Sequence, residues 1–434
     1  MDKRPLHRAI SDYCDSGVLP MHMPGGKRRI GSLAKNDMTE ITGFDDLHDP
    51  KGIIKDLERG LADLWNAPEA FLSVNGSTAM IESAICAAMR YCPDGRILAA
   101  SNCHLSVWHG IEMSGCMHRI IYPEAGRYPF ALEADPKAIE KALEDDPDIK
   151  VLVITSPTYE GVISDTREIY EITQKHNCTL IIDEAHGAHL GLPYCGDEAC
   201  GDLIIKSIHK TLSAPTQTAV LLKMSDRVKT EDIRHYIDIY ESTSPSYLLM
   251  SGVSEMVEYL HSADALGDWK AAVDGAVSRL TDLKNIVLFD HPSKDFSKLV
   301  FLCDGNAVAD ILRKEYDIEV EYAGRYHLTA MTGIGDNTDT LSRFADAVIS
   351  IDKGHPELKL SLRGNIKTPE HITEKSLYEA SRTPSESIDA SEAAGRISAE
   401  AVYSYPPGIP VILPGDRLTS EQLCFAGEKI RVLR

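Results

Sequence analysis

No window of the 434 residues approaches the ~18 uninterrupted apolar residues that a membrane-spanning helix needs. The N-terminal stretch MDKRPLHRAISDYCDSG also lacks the apolar core of a signal peptide. A cytoplasmic protein is expected. Basic charge is scarce: 45 Lys and Arg face 66 Asp and Glu, for a formal net charge of −21, and the basic residues form no cluster. Counterion release on nucleic acid, or attraction to an anionic membrane, needs such clusters, so neither partner is expected. The ten cysteines include no C-x-x-C pair and no compact spacing of the zinc kind, which predicts reduced thiols and no metal site. Internal repeats and low-complexity runs are missing as well.

What remains is ordinary for a soluble globular protein, with 43% hydrophobic and 26% charged residues and length enough for two or three domains. The organising stretch is Thr179 to Gln217, TLIIDEAHGAHLGLPYCGDEACGDLIIKSIHKTLSAPTQ. Its apolar run Leu180-Ile181-Ile182 suits a buried parallel strand that delivers Asp183 at its carboxyl end, where α/β sheets bind ligands. A second run, Leu203-Ile204-Ile205, delivers Ser207, His209 and Lys210 in the same way. An acid, a hydroxyl, an imidazole and an amine then converge on one crevice.

That set suits pyridoxal 5′-phosphate, which needs a lysine amine for its Schiff base, a carboxylate for its pyridine nitrogen, and hydroxyl or imidazole donors for its phosphate. Lys210 and Asp183 fill the first two roles. Either residue alone is better read as a solvated lysine or a helix cap; the pair within these two segments carries the assignment. Upstream, Phe71-Leu-Ser-Val-Asn-Gly-Ser-Thr-Ala-Met reads as strand, glycine turn and helix start. The free N–H groups of a helix N-terminus make an anion site, and Gly76, Ser77 and Thr78 are the expected phosphate cradle.

Periodicity adds the frame. Leu6, Ile10 and Tyr13 predict a short amphipathic helix, and Ile54, Leu57, Leu61 and Leu64 a second one. Ile97–Ala100, Val151–Thr155 and Lys298–Cys303 read as strands, and 166–177 as a crossover helix, so strands alternate with helices as in a parallel sheet. Residues 247–284 read as a long helical region, 307–316 and 339–351 as helices, and His327–Met331 as a strand. His186 and His189 stand three apart, but no third ligand accompanies them, and a metal reading is rejected.

DEAHGAH followed by SxHKTL resembles the major domain of the fold-type I ornithine/lysine/arginine decarboxylases. Further segments extend the resemblance: SNCHLSVWHG from Ser101, SPTYEG from Ser156, ESTSPSY from Glu241, GRISAE from Gly395, and YPPGIPVILPGD from Tyr405. It implies an α/β large domain with a mainly parallel sheet and a smaller α+β C-terminal domain. The expected divisions are an arm at 1–45, a cofactor-binding domain at 46–270 and a small domain at 271–434. The resemblance is to the short form, without the N-terminal wing of larger members.

By the same resemblance His104 lies over the cofactor ring, where a flat imidazole can pack on one face, and Ala185 lies beneath. Thr158, Tyr159 and Gly161 border the site, and His186 neighbours the substrate. Glu392, Arg396 and Glu400 either face the substrate entrance or have solvated or structural roles, and Thr243 reaches the phosphate from the partner subunit of a homodimer with shared active sites; higher assemblies stay open. Gly25-Gly26-Lys27, Leu105, Ser404 and Asp416 depart from the family pattern. No ligand role passes to His22.

The implied activity is decarboxylation of a small-molecule substrate, arginine, lysine or ornithine, with Lys210 or His209 as proton donor. One rival is an aminotransferase or lyase on the same scaffold. Another is a catalytically idle, cofactor-binding regulator, against which the intact Asp183, His209 and Lys210 speak.

Overall fold

The structure is a computed structural model that describes residues 5–16, 36–126, 128–262, 264–359, 369–404 and 408–434. Seven strands form its main sheet: β1 (Glu69–Ser73), β2 (Arg96–Ala100), β3 (Met117–Ile121), β4 (Ile149–Thr155), β5 (Thr179–Asp183), β6 (Leu203–Lys206) and β7 (Ala219–Lys223). The order is β1-β7-β6-β5-β4-β2-β3. β6, β5, β4, β2 and β3 pair in parallel, whereas β7 pairs antiparallel with both β6 and β1. The reversal has a local cause: parallel neighbours need a long crossover, usually a helix, and the connection Ser207–Thr218 contains none. β5, β6 and β7 are buried along their whole length, which explains their unbroken apolar runs.

Helices cover the sheet. α1 (Leu6–Asp15) buries Leu6, Ala9 and Ile10, and α2 (Ile53–Leu64) buries Ile54, Leu57 and Leu61 on the predicted stripe. Each such aliphatic side chain contributes roughly 1.5–3 kcal/mol on leaving water. α3 (Gly76–Met89), α4 (Leu105–Ser114), α5 (Pro136–Asp145) and α6 (Thr166–Lys175) follow β1, β2, β3 and β4 in turn. α6 begins at Asp165, whose side chain accepts from Glu168 N.

Beyond α7 (Thr230–Tyr240), the predicted single helical region is two helices, α8 (Tyr247–Ser262) and α9 (Ala265–Arg279), with Asp264 at the N-cap of the second. α9 packs on α11 (Thr338–Gly354) of the next lobe. That lobe is an antiparallel sheet of β8 (Val287–Leu288), β9 (Lys298–Leu302), β10 (Tyr322–Ala323) and β11 (His327–Met331), with α10 (Gly305–Tyr316) between β9 and β10. The C-terminal stretch forms a further body with its own apolar cluster of Ala393, Ile412, Leu418, Ile430 and Val432. In it β12 (Ser385–Asp389) pairs with β15 (Lys429–Leu433), and β13 (Val402–Ser404) with β14 (Ile409–Ile412). The expected small domain at 271–434 thus contains both this antiparallel sheet and the C-terminal body. Among the described residues no helix is long and apolar enough to cross a membrane.

Candidate active site

Every strand of the parallel set ends at one cavity of about 640 Å³. Ser77 follows β1, His104 follows β2, Tyr122 follows β3, Thr158 follows β4, Asp183 ends β5, and Lys210 follows β6. Ligands sit at strand carboxyl ends in α/β sheets because the loops there are free to carry side chains while the strands fix their bases.

Asp183 is buried, and its Oδ1 accepts from Ala185 N at 3.1 Å. Burial raises its pKa, opposed by His104 and Lys210 nearby, so the carboxylate is stabilised by a cation placed against it. Lys210 is held the other way: burial lowers its pKa against the pull of Asp183 and Glu321, which favours the free amine. Its Nζ lies 3.0 Å from His186 Nε2. His104 caps α4, accepting from Ser106 N through Nδ1. Burial keeps its imidazole neutral, with a lowered pKa. Gly408 lies against it: a Cβ there would stand 3.5 Å from the His104 ring. Ile409 and Val411 of the same segment line the cavity, whereas Tyr405, Pro406 and Pro407 lie outside the described residues.

At the other end Ser77 Oγ and Ser207 Oγ stand 2.6 Å apart. Gly76 opens α3 at φ 79°, a left-handed conformation that favours glycine. No side chain caps this 14-residue helix, so its first N–H groups are left for another acceptor. The buried Oδ1 of Asn102, also lining the cavity, has no hydrogen-bond partner among the described residues. The two serine hydroxyls and the α3 N–H groups, with the acid, the amine and the small Ala185, fit pyridoxal 5′-phosphate.

The opposite wall comes from the second lobe. Glu321, Tyr322 and His327 meet Tyr159 and Glu160 from the β4 loop. Tyr159 donates to Glu321 Oε1 at 3.0 Å, and burial beside that acid raises the phenol's pKa, keeping it a donor. His327 Nε2 lies 3.5 Å from Glu160 Oε1. Glu370, from the segment leading to the C-terminal body, adds a further acid.

Of the residues predicted from sequence, Ser77, His104, Thr158, Tyr159, Asp183, Ala185, His186 and Lys210 line this cavity. Gly76, Thr78 and Ser207 adjoin it without lining it. His209 does not line the cavity of the single chain, and its Nδ1–H donates to Thr218 O at 2.9 Å. Thr243 is exposed on the turn before α8, outside the cavity of the single chain. Glu392 and Glu400 require correction: neither lines the cavity. Glu392 is exposed, and Glu400 accepts from Arg431 N within the C-terminal body. His22 lies outside the described residues. His189, which pairs with His186 in the sequence pattern, uses both ring nitrogens, on Thr211 and Asp295. Glu160, Glu321, Tyr322 and His327 were not foreseen. A lysine opening the apolar run Lys298–Leu302 was the one overlooked sequence signal, for it is wholly buried behind His186.

Comparison with known proteins agrees with this geometry. The family described as Orn/Lys/Arg decarboxylase, major domain, matches residues 30–295, and the corresponding C-terminal domain matches 361–426. The chain is 28% identical over 462 residues to an arginine decarboxylase of Bacillus subtilis (strain 168), covering 97% of this chain and 92% of that protein. It is 26% identical over 471 residues to an arginine decarboxylase of Halalkalibacterium halodurans, covering 99% and 94%. A lysine decarboxylase structure from Francisella novicida superposes with a TM-score of 0.82 at 17% identity, covering 100% of this chain and 81% of that one.

Proposed function

The chain belongs to the Orn/Lys/Arg decarboxylase family, and from this premise we propose that its cavity removes the carboxyl group of a basic amino acid, arginine foremost. It is a pyridoxal-phosphate-dependent amino-acid decarboxylase. The observation that carries the substrate class is the acid content of the wall facing Lys210: Glu160, Glu321 and Glu370 lie where a cationic side chain would end. Arginine is favoured because the curated relatives from both bacilli carry that activity in their names, and because two carboxylates in one wall suit a forked guanidinium.

Bound pyridoxal phosphate supplies the electron sink for the pair released with CO₂. The residues do the rest. Lys210 would hold the cofactor, and its lowered pKa favours the free amine that this bond needs. Asp183 would pair with the pyridine nitrogen and keep it protonated. His104 and Ala185, both lining the cavity, would border the cofactor ring. Ser77, Ser207 and the N-terminus of α3 hold the phosphate. Tyr159, kept protonated, steadies Glu321 toward the substrate cation. Lys210, at 3.0 Å from His186, is the group placed to return a proton to the substrate carbon, whereas His209 faces a backbone carbonyl.

Two further parts belong to this reading. The exposed Ser242-Thr243-Ser244 turn completes the phosphate site of a second copy in a homodimer. The location is cytoplasmic, in keeping with ten unpaired cysteines. A panel of arginine, lysine, ornithine and neutral amino acids, assayed for CO₂ release with added cofactor, tests the substrate. A kcat/KM ranking with neutral amino acids first would refute the acidic-wall reading.

A further inference from the structure

Lys298 opens β9 with its side chain wholly buried, although a buried ammonium is costly unless it is paired. Its stem is fixed by close packing on the β4 loop: at Gly161, φ 87°, a Cβ would fall 2.6 Å from Lys298 Cγ. Among the described residues the amine then has one hydrogen-bond partner, His186 Nδ1 at 3.0 Å. The opposite nitrogen of the same ring, Nε2, is 3.0 Å from Lys210 Nζ. Two buried lysines, 88 positions apart in sequence (298 − 210), are thus bridged by one imidazole.

The bridge restricts where protons can be. A neutral imidazole has one N–H donor and one lone pair. If Lys298 is an ammonium it donates to Nδ1, the ring is protonated at Nε2, and Nε2–H donates to the lone pair of a free Lys210 amine. If Lys298 gives its proton to Nδ1 and Nε2–H passes its own to Lys210, the charges exchange and no proton is gained or lost. The ring itself is a poor resting place for charge, because burial and both lysines push its pKa well below the usual histidine value.

The nearby acids lean toward the first arrangement, three acting on Lys298 and two on Lys210, while burial and the charge of Lys210 act against it. Asp295, Glu321 and Glu160 act on Lys298, against its burial and Lys210. Asp183 and Glu321 act on Lys210. His104 and His209 also act on the ring of His186, each lowering its pKa. Asp295 is already bonded to His189 and Ser297, so it lends Lys298 charge without a competing bond. The balance leaves the Lys298 pKa lowered to about 8, within reach of exchange near neutral pH.

We propose that Lys298 is a positioning residue that stores the proton of Lys210: through His186 it keeps Lys210 a free amine, and through His186 it returns the proton to Lys210 when the substrate carbon must be protonated. This rests on Lys210 being the cofactor lysine, and the test separates the two claims. The full-length chain is stripped of cofactor and mixed with pyridoxal phosphate from pH 6 to pH 10, and the rate of rise of the cofactor–lysine absorbance is recorded. Absence of that absorbance in wild type, or its persistence in Lys210→Ala, removes the cofactor assignment itself. The midpoint of the pH–rate curve tests Lys298.

In Lys298→Met the neighbouring positive charge is gone and Lys210 must hold the proton alone, so the midpoint moves up by about one pH unit, which is tenfold in the free-amine fraction. A midpoint equal to wild type in a folded Lys298→Met protein overturns the proposal. Lys298→Arg keeps the charge but cannot release a proton near neutrality, and it gives a second reading if the methionine variant does not fold. Its midpoint stays at the wild-type value, while kcat falls about tenfold or more with KM unchanged, the size expected for losing a proton-transfer path. A purely structural lysine would leave kcat intact in Lys298→Arg; that result, or a raised midpoint in this variant, overturns the proposal.

Discussion

Ser77 Oγ and Ser207 Oγ stand 2.6 Å apart, joining the loop after β1 to the loop after β6 with 130 positions of sequence between them. Neither hydroxyl contributes to the core. Their meeting defines one end of the cavity, and the amine of Lys210 lies only three residues beyond Ser207.

If that pair receives the phosphate, Ser77→Ala and Ser207→Ala each weaken pyridoxal phosphate binding. Loss of a hydrogen bond to a charged group is worth about 1.5–3 kcal/mol, hence about tenfold or more in Kd. Equilibrium dialysis against pyridoxal phosphate and against pyridoxal checks the claim. Equal losses for both compounds would mean the serines do not read the phosphate.

Lys210→Ala leaves the fold intact and abolishes borohydride fixation of the cofactor. Asp183→Asn retains cofactor yet lowers turnover far more than affinity, because an amide cannot hold the pyridine proton as electrons enter the ring; Asp183→Glu is milder. Near-normal turnover in Asp183→Asn would exclude this role.

Much of this half of the site was legible in the sequence. Leu180–Ile182 and Leu203–Ile205 announce buried strands by composition, and side chains at strand ends inherit their place from the sheet. The acidic wall was not legible, since Glu160 and Glu321 approach only when the second lobe folds back, and no local period encodes that approach. Glu392 and Glu400 misled for the complementary reason: their segment looks like family sequence, but its charges serve the C-terminal body. The break between α8 and α9 escaped because apolar spacing continues across it.

Glu321→Gln raises KM for the basic substrate and lowers kcat/KM about tenfold to a hundredfold, the worth of one charge-assisted contact. Any residual activity on neutral amino acids is unaffected. Steady-state kinetics on both classes reads the difference, and parallel losses on both would assign Glu321 a structural role.

Asp295 and His189 join the two lobes by a fully buried contact of 2.8 Å. Burial raises the acid's pKa, but His189, Lys298 and Ser297 outweigh it and bring it down from 3.8 to about 2. A folded-state pKa below the unfolded one stabilises above the unfolded value and is lost as pH falls through the folded value. Asp295→Asn should therefore cost about 2 kcal/mol near neutral pH, and its deficit against wild type should shrink between pH 4 and pH 2. Urea titrations at pH 6 and pH 3.5 report this; a deficit that does not change with pH would contradict it.

A site shared between two copies, as proposed, would show complementation. Thr243→Ala and Lys210→Ala, each impaired alone, are dissociated, mixed equally and reassociated. Random pairing makes half the dimers mixed, each with one intact composite site, so about a quarter of wild-type activity returns. Mixing without recovery, with subunit exchange verified by tag pull-down, would show that the turn serves its own chain.

The central claim is decarboxylation at Lys210, and arginine carrying an isotopic label in its carboxyl carbon tests it most directly. The account predicts that the labelled carbon leaves as CO₂ in step with formation of the corresponding amine, and that Lys210→Ala releases none. Retention of the label in a keto-acid product, or equal release by Lys210→Ala, would contradict it.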